Sequence, residues 1–275
     1  MSEFSKYSVL MSLYVKEKPE YLRLAIDSMI NQSVKPDEIV IVEDGPLNDE
    51  LYEIINEYKT MHPDLFNIVI NEKNIGLGLS LNNGLYNCKN ELVARMDTDD
   101  ISKKDRCEKQ LKEFEKDLDL AIVGAFVDEF YADPDEIVST RAVPENHQDI
   151  YEFAKKRSAF NHPVVMYKKS IVLKHGGYSA LRRNQDVDLF GRMLFGGCKA
   201  KNIGEALLLF RSNDDLAKRR KSWENTKSYI DTIKRFWKMG YSDFSDYFIV
   251  ACAQTVMFLM PAKIQHWLYK KFLRK

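Results

Sequence analysis

Residues 38–46 read EIVIVEDGP, a run of apolar, mostly β-branched residues that leads directly into two carboxylates and a Gly-Pro turn. The same order recurs at residues 91–100, ELVARMDTDD, where an apolar run ends in three aspartates within four positions. Short continuous apolar runs predict strands that are buried on both faces of a sheet. Polar residues at the end of such runs predict a functional edge, because ligands of open α/β sheets bind at the carboxyl ends of the strands.

The segments around these two runs alternate between strand and helix patterns. Further strands are predicted at Tyr7–Leu13 and Phe66–Ile70, and helices are predicted from Pro19 onward and over residues 49–61 and 77–87. This alternation predicts an α/β fold with a mainly parallel central sheet flanked by helices.

The second half of the chain is less regular. The sequence predicts a long strand at Leu120–Tyr131 and a helix at 145–157. A turn at Gly176–Tyr178 is followed by a helix at 184–196, which begins after Asn184, and by a short strand at Leu207–Phe210. From about residue 215 onward the pattern is helical throughout.

Composition excludes several classes of protein. The 275 residues are 45% hydrophobic and 30% charged, as in a globular chain with a sizeable core. Forty-one basic residues balance forty-one acidic ones, which argues against a general nucleic-acid binder. The four cysteines are widely spaced with no C-x-x-C, so neither structural zinc nor a disulfide framework is expected, and a reducing cytoplasm is predicted.

No membrane-spanning segment is predicted. The first fourteen residues, MSEFSKYSVLMSLY, carry an acid and a lysine ahead of a short apolar run, unlike a signal peptide. The apolar stretch Tyr247–Ala262 is interrupted by Gln254, Thr255 and Pro261. It is also shorter than the roughly 20 residues that span a bilayer.

The last sixty residues differ in charge from the rest. Residues 216–275 hold thirteen Lys and Arg against four Asp and Glu, a net charge of +9, which leaves −9 for the remainder. We therefore predict a catalytic region at 1–215 and a helical, basic and aromatic region at 216–275. The run Lys218–Lys221 and the segment Met260–Lys275 suit contact with an anionic membrane surface. The alternative is that the aromatic residues of this region pack on the core or on a second subunit.

The acidic loop at residues 97–100 admits two interpretations. Asp97, Asp99 and Asp100 would repel one another unless a divalent cation lay between them, and hard oxygen ligands favour Mg²⁺ or Mn²⁺ bound to a diphosphate. Alternatively, Asp100 could act as the N-cap of a helix that starts near residue 103.

The ordered set of motifs resembles the family 2 glycosyltransferases, inverting nucleotide-sugar enzymes of the GT-A fold. The stretches that carry the resemblance are SVLMSLY, AIDSMINQSVKPDEIVIVEDG, NIGLGLSLNNGL, ELVARMDTDDIS, FNHPVVMYKKS, the GGY turn and NQDVDLFGRML. They span roughly residues 8–212. The chain looks most similar to bacterial enzymes that build capsular, O-antigen or other surface polysaccharides.

The resemblance implies roles for residues near the nucleotide. Ser12 and Tyr14 would lie beside the base, and Asp44 would accept a hydrogen bond from the N–H of a uracil ring. Asp97 and Asp99 would form the D-x-D motif, with Asp97 toward the ribose, Asp99 on the metal, and both counted among the metal-binding acids. Asp100 could instead take a metal role.

The resemblance also places the catalytic base at Asp186, at the start of a helix beneath the acceptor. An inverting transfer needs a base to take the proton of the acceptor hydroxyl and a metal to stabilise the departing diphosphate. The alternative is a helix-start acid that the helix dipole stabilises. The chain departs from the family in having Gln185 before this aspartate where glutamate is frequent. It also lacks a histidine after Arg211, where Asn213, Asp214 or water could substitute.

One further residue and two pairs have open roles. His162 is either a hydrogen-bonded structural residue or a contact to a sugar. Arg95 and Arg106 either compensate the charge of the acidic loop or contact the diphosphate. Gly76 and Gly78 are too few for a dinucleotide fingerprint and predict a tight turn into the following helix.

The function predicted from the sequence is metal-dependent, inverting transfer of a hexose or N-acetylhexosamine from a UDP-sugar to a surface polysaccharide or lipid-linked glycan. The acceptor is predicted to be polyprenyl-linked, and the enzyme is predicted to lie at the inner face of the cell membrane. It could also form a homo-oligomer. A dTDP-sugar such as activated rhamnose is an alternative donor. A nucleotidyltransferase would need a glycine-rich loop after the first strand, where this chain has SLYVKEKPE. A non-catalytic membrane adaptor would not need acids at three strand ends.

Overall fold

Three strand–helix units and a fourth strand open the chain, in a computed structural model that describes residues 5–212 and 222–260. The elements are β1 (Tyr7–Leu13), α1 (Pro19–Ile30), β2 (Glu38–Asp44), α2 (Asp49–Met61), β3 (Phe66–Asn71), α3 (Leu77–Asn87) and β4 (Leu92–Met96). The elements predicted in this half of the sequence are confirmed to within two residues. The agreement follows from the sequence, because each strand here is a continuous apolar run between helices with one apolar face.

In the second half, the predicted strand Leu120–Tyr131 and the predicted helices at 145–157 and 184–196 are present to within three residues, and short elements that the sequence did not predict lie among them. The elements of this half are β5 (Ile101–Ser102), α4 (Arg106–Lys116), β6 (Leu120–Phe130), β7 (Ser139–Arg141), α5 (His147–Ala154), β8 (Met166–Lys168), α6 (Lys169–Lys174), α7 (Gln185–Phe195) and β9 (Lys199–Arg211). The predicted strand Leu207–Phe210 is too short. β9 starts eight residues earlier because its polar first half pairs with β6 through the backbone, with register shifts that break any regular alternation.

One mixed sheet contains all nine strands. Its order is β3-β2-β1-β4-β8-β6-β9-β5, and β7 pairs with β6. β3, β2, β1 and β4 are parallel, as predicted, and β9 is also parallel to β6. β8 runs antiparallel between β4 and β6. The carboxyl ends of β2, β1 and β4 therefore lie side by side, and the ends of β2 and β4 are about 10 Å apart with β1 between them.

Two hydrophobic cores cover the two faces of the sheet. Val9 and Ile41 point into one core, which α1, α2 and α4 complete, and Leu10 and Val42 point into the other, which α3 and α7 complete. Neighbouring residues of one strand belong to opposite cores, since successive side chains of a strand point to opposite faces. This explains why these strands are apolar throughout.

Two further helices follow the sheet, α8 (Trp223–Lys238) and α9 (Phe244–Leu259). Phe236 of α8 is fully buried in the same core as α7, and Arg235 pairs with Asp188 of α7 at 3.0 Å. α9 packs on α8, where Trp237 and Tyr247 stack with ring centroids 5.5 Å apart. The prediction of helices is thus confirmed for residues 222–260.

Several predicted features lie outside the described residues. These are the boundary at residue 215, the basic run Lys218–Lys221 and the segment Met260–Lys275 apart from its first residue. The division into 1–215 and 216–275 stays a prediction. Within residues 5–212 and 222–260, no helix combines the length and the apolar character needed to cross a bilayer.

Candidate active site

The acidic loop between β4 and β5 gathers three carboxylates at the carboxyl edge of the sheet. One oxygen of each of Asp97, Asp99 and Asp100 lies within 4.8 Å of the others. Such a set of hard oxygen ligands fits Mn²⁺ or Mg²⁺. The sequence prediction that these three residues act together in one place is consistent with this geometry.

Asp100 carries the strongest indication that a cation belongs here. Its side chain is fully buried, and its Oδ1 accepts a hydrogen bond from the backbone N–H of Arg211 at 2.8 Å. Its Oδ2 is buried too and has no hydrogen-bond partner among the described residues. A buried carboxylate oxygen without a partner is costly, and a cation would satisfy it. The alternative that Asp100 caps a helix is wrong, because α4 begins at Arg106 with Asp105 at its N-cap.

Burial and the crowding of the acids raise the pKa values of Asp99 and Asp100. Burial raises the pKa of Asp99 to about 7, and the charges of Asp97 and Glu17 add to the shift. Burial also raises the pKa of Asp100 well above its usual range, with Asp99 and Asp97 as further causes. Carboxylates this close cannot all ionise without a compensating cation, so the loop favours a divalent metal over an empty, fully charged state.

Two residues that the sequence did not single out hold this loop. The carboxylate of Glu17, in the loop after β1, accepts a hydrogen bond from Thr98 Oγ1 at 2.6 Å. Arg211, the last residue of β9, donates from Nε to the carbonyl oxygen of Asp99 at 2.9 Å. Its guanidinium lies 3.8 Å from the ring centroid of Tyr21. The loop is therefore fixed from both sides by residues about 80 and 110 positions away in sequence.

The two arginines near the loop differ in role. Arg95 is 1% exposed, forms an ion pair with Asp97, and keeps Nε and Nη1 without a hydrogen-bond partner in the part of the chain described. Arg106 is fully buried, and its Nη2 donates to the carbonyl of Arg95 at 2.6 Å. Arg106 therefore supports the backbone of β4, and because its guanidinium already bonds the Arg95 carbonyl and Gln110, it has fewer donors than Arg95 for the predicted contact to a diphosphate.

Asp186 lies at the start of α7, as predicted. Asn184, two residues earlier, has φ 57°, in the left-handed region. This backbone conformation turns the chain sharply into the helix. Burial raises the pKa of Asp186, while the N–H of Val187 stabilises the charged form. The charges of Arg95 and Asp97 also act on this pKa, so Asp186 and the acidic loop share one electrostatic environment.

The segment before Asp186 packs tightly against α3. A Cβ at Gly78 would lie 2.7 Å from the carbonyl oxygen of Ser179 and 3.3 Å from Gln185 Cγ. Only glycine allows this approach. Gln185 is 6% exposed, and its Oε1 has no partner among residues 5–212 and 222–260. This amide oxygen is therefore a buried polar atom without a protein partner, next to Asp186 in the chain.

Asp44, at the end of β2, is bound by the start of α3. Its Oδ1 accepts from the N–H of Ile75 at 2.8 Å, and its Oδ2 accepts from the N–H of Gly76 at 3.1 Å and from Asn74 Nδ2 at 2.9 Å. Gly76 has φ +88°, which confirms the predicted tight turn. Asp44 thus positions the loop ahead of α3. A nucleotide base that donates a hydrogen bond to Asp44 must use a carboxylate oxygen that already accepts from one of these donors.

Ser12 and Tyr14 lie beside Asp44 on the same edge, at the end of β1. Ser12 Oγ donates to Ser80 Oγ at 3.1 Å, and Ser80 in turn accepts from Asn71 at 3.3 Å. The side chain of Tyr14 is 40% exposed, so one face of its ring is open to a ligand.

His162 is a structural residue in this fold. Its Nε2 is 2.9 Å from the hydroxyl of Tyr178, and its ring packs against Phe190 with centroids 6.0 Å apart. Burial lowers its pKa well below the usual value, and the nearby charge of Arg95 adds to the effect. The histidine is therefore neutral. Asn213 and Asp214, suggested as substitutes for a metal-binding histidine, lie outside the described residues.

A cavity of about 490 Å³ lies elsewhere, at the far end of α7. It is lined by residues that include Lys174, His175 and Cys198. None of the acids discussed above faces it, so the carboxyl edge of the sheet is where chemistry is expected.

The structure thus has an acidic loop and polar strand ends at the carboxyl edge of its parallel strands, and an aspartate at a helix start within electrostatic reach of that loop. The model of the family described as Glycosyl transferase family 2 matches residues 8–186. The chain belongs to this family, and it is a glycosyltransferase.

Comparison with individual proteins agrees with this assignment. The chain is 33% identical over 270 residues to the UDP-Gal:alpha-D-GlcNAc-diphosphoundecaprenol beta-1,3-galactosyltransferase of Escherichia coli, covering 98% of this chain and 97% of the relative. The fold is similar to that of S. aureus TarS 1-349 in complex with UDP-GlcNAc, with a TM-score of 0.67 at 15% identity over 94% of this chain and 77% of the other. It is also similar to the mannosyltransferase PcManGT from Pyrobaculum calidifontis in complex with GDP-Man and Mn²⁺, with a TM-score of 0.59 at 13% identity, covering 98% and 80%.

Proposed function

We propose that the chain transfers a hexose or N-acetylhexosamine from a UDP-sugar, with inversion, to a lipid-linked or surface glycan. The observation that carries this proposal is the buried acidic loop with its unpartnered Asp100 oxygen, in the same electrostatic environment as Asp186. The relative from Escherichia coli is named for a UDP-sugar donor and a diphosphoundecaprenol-linked acceptor, which supports the same classes of donor and acceptor here.

The donor nucleotide is assigned to the edge formed by β1 and β2. The half-open ring of Tyr14 offers a surface for stacking on a base, and Ser12 offers a hydroxyl. The ring N–H of uracil donates a hydrogen bond to a carboxylate oxygen of Asp44 that also accepts from the loop ahead of α3. Thymine has the same N–H, so a dTDP-sugar is the alternative donor, and a nucleotide-sugar panel separates the two.

The metal, Mn²⁺ or Mg²⁺, is assigned to Asp99 and Asp97, with Asp100 as a further ligand through Oδ2. When bound, it would neutralise the diphosphate as that group leaves. Arg95 supplies two further donors, Nε and Nη1, toward the diphosphate or the donor sugar, since neither has a partner in the described structure.

Asp186 is assigned as the general base. It takes the proton of the acceptor hydroxyl as the acceptor oxygen forms a bond to the anomeric carbon. The bond from that carbon to the diphosphate oxygen breaks in the same step, and the nucleoside diphosphate leaves from the opposite face. The raised pKa of Asp186 makes its carboxylate a stronger proton acceptor than a solvated aspartate.

The acceptor determines where the reaction takes place. A lipid-linked glycan presents its hydroxyl at a membrane surface, so we place the enzyme at the cytoplasmic face of the cell membrane.

The test is a thermal-shift panel of UDP-, dTDP- and GDP-sugars with and without Mn²⁺, followed by transfer to a synthetic GlcNAc-diphospholipid. A UDP-sugar should raise the melting temperature most, and only with the metal present, and the product should carry the inverted linkage by NMR. Equal shifts with all nucleotides, or no effect of Mn²⁺, would contradict the assignment.

A further inference from the structure

The outer side of α9 is apolar although it faces solvent. Phe244, Phe248, Ile249, Val256 and Leu259 are between 55% and 73% exposed. The polar residues Asp246, Gln254 and Thr255 of the same helix are half-buried instead. An ordinary surface helix buries its apolar face and carries polar residues outside, whereas α9 is apolar on its outer side although Val250 is buried in the core as well.

The exposed residues form one continuous stripe. Positions 244, 248, 252, 256 and 259 follow one another at intervals of three or four residues, with 245, 249 and 253 beside them. Residues at this spacing lie on one side of a helix, and the stripe is about 22 Å long. We call these residues the α9 stripe. An apolar surface of this length marks a contact with a partner.

We propose that the α9 stripe lies in the interface of an anionic lipid bilayer and holds the enzyme at the membrane surface. The helix is suited to lying flat, because its sixteen residues are too few to span a bilayer. Packing on α8 fixes α9 to the catalytic region, so the stripe sets the orientation of the whole molecule on the surface.

Charge favours a bilayer over a second copy of the chain. Residues 247–262 contain no charged side chain, and residues 263–275 contain five Lys and Arg and no acid. An anionic surface attracts this sequence, whereas a second copy would present the same positive charge. Trp223, which contacts Phe258 with centroids 5.2 Å apart, is 51% exposed and is the residue type that favours the membrane interface.

The test compares two double variants in co-sedimentation with vesicles of phosphatidylglycerol and phosphatidylethanolamine. Phe248→Ser with Ile249→Ser should reduce the bound fraction at least about tenfold, since both side chains leave water on binding. Tyr86→Ser with Leu118→Ser is the matched control, because these residues are 71% and 78% exposed and lie outside α9. The control should bind like the wild type. Neutral phosphatidylcholine vesicles should bind the wild type more weakly.

Hydrolysis of the UDP-sugar in the absence of vesicles separates this inference from the proposed function, because the α9 variant should retain it. Wild-type sedimentation by the α9 variant would overturn the inference. So would a wild-type dimer in light scattering that the α9 variant converts to a monomer, since the stripe would then be a subunit interface.

Discussion

The backbone N–H of Arg211 donates a hydrogen bond of 2.8 Å to Asp100, which joins the end of β9 to the acidic loop after β4. The guanidinium of Arg211 adds a second bond, from Nε to the Asp99 carbonyl, and lies between the rings of Tyr21 and Phe130. Arg211 is therefore a positioning residue for the acids that we assign to the metal.

Arg211→Lys keeps the positive charge but loses the Nε bond and the flat stacking surface. We expect the Mn²⁺ concentration for half-maximal UDP-sugar hydrolysis to rise about tenfold, because the loss of one hydrogen bond costs about 1.4 kcal/mol. The measurement is a metal titration at saturating donor. Arg141→Lys is the control, because Arg141 also stacks on a ring, that of Phe210, but pairs with Glu129 away from the acids. An equal rise in both variants would indicate general destabilisation.

Asp44→Asn should weaken both the fold and nucleotide binding. The amide keeps only one acceptor oxygen, so the N–H of either Ile75 or Gly76 would face an NH2 donor in place of an acceptor. We expect the free energy of unfolding to fall by about 1–3 kcal/mol, measured by urea denaturation. UDP affinity, measured by calorimetry, should fall as well. Asn74→Ala is the control, since it removes one donor and leaves the carboxylate. Unchanged UDP affinity in Asp44→Asn would exclude a role in reading the base.

The fold of the first half could be predicted because each strand there is buried on both faces. A continuous apolar run such as that of β2 has few other structural solutions, and the turns after it are marked by glycine and proline. β5 and β8, with two and three residues, are too short to produce a periodic signal. They exist because β9 and β6 provide partners that are distant in sequence.

The candidate site was predictable at its acids but not at the residues that hold them. Asp97 and Asp99 stand out because carboxylates follow a strand, and Asp186 stands out through the family resemblance. Glu17 and Arg211 carry no local pattern, and only the folded sheet brings them to the loop. The two interpretations of Arg106 stayed open in the sequence for the same reason, since only the fold places its guanidinium against a β4 carbonyl.

His162→Gln should change the response of stability to pH. Burial lowers the pKa of His162 in the folded protein below its value of about 6.5 in the unfolded chain. The unfolded state therefore binds the proton first, and this histidine stabilises the fold above pH 6.5 and loses that contribution as the pH falls. We expect the wild type to lose up to about 1.4 kcal/mol per pH unit between pH 6.5 and 5 relative to the variant.

The measurement is urea denaturation of both proteins at pH 7.5, 6.5, 5.5 and 5.0. Glutamine keeps a hydrogen bond to Tyr178 without a titrating group, so the difference between the two curves isolates His162. A difference that does not depend on pH would mean that the pKa of His162 is the same in the folded and unfolded states, which would contradict the prediction.

Asp186→Asn should abolish transfer while leaving donor binding intact. The amide keeps the shape of the side chain but cannot take a proton, so we expect transfer to fall by at least about 10²-fold. UDP affinity in Mn²⁺, measured by calorimetry, should stay within about twofold of the wild type, because we assign Asp186 to the acceptor side. Asp188→Asn is the matched control. Asp188 lies on the same helix and pairs with Arg192 and Arg235, so its loss should lower the melting temperature but not the rate per folded molecule. Transfer near the wild-type rate by Asp186→Asn would remove it as the base, and a parallel loss of UDP affinity would instead place it in the donor site.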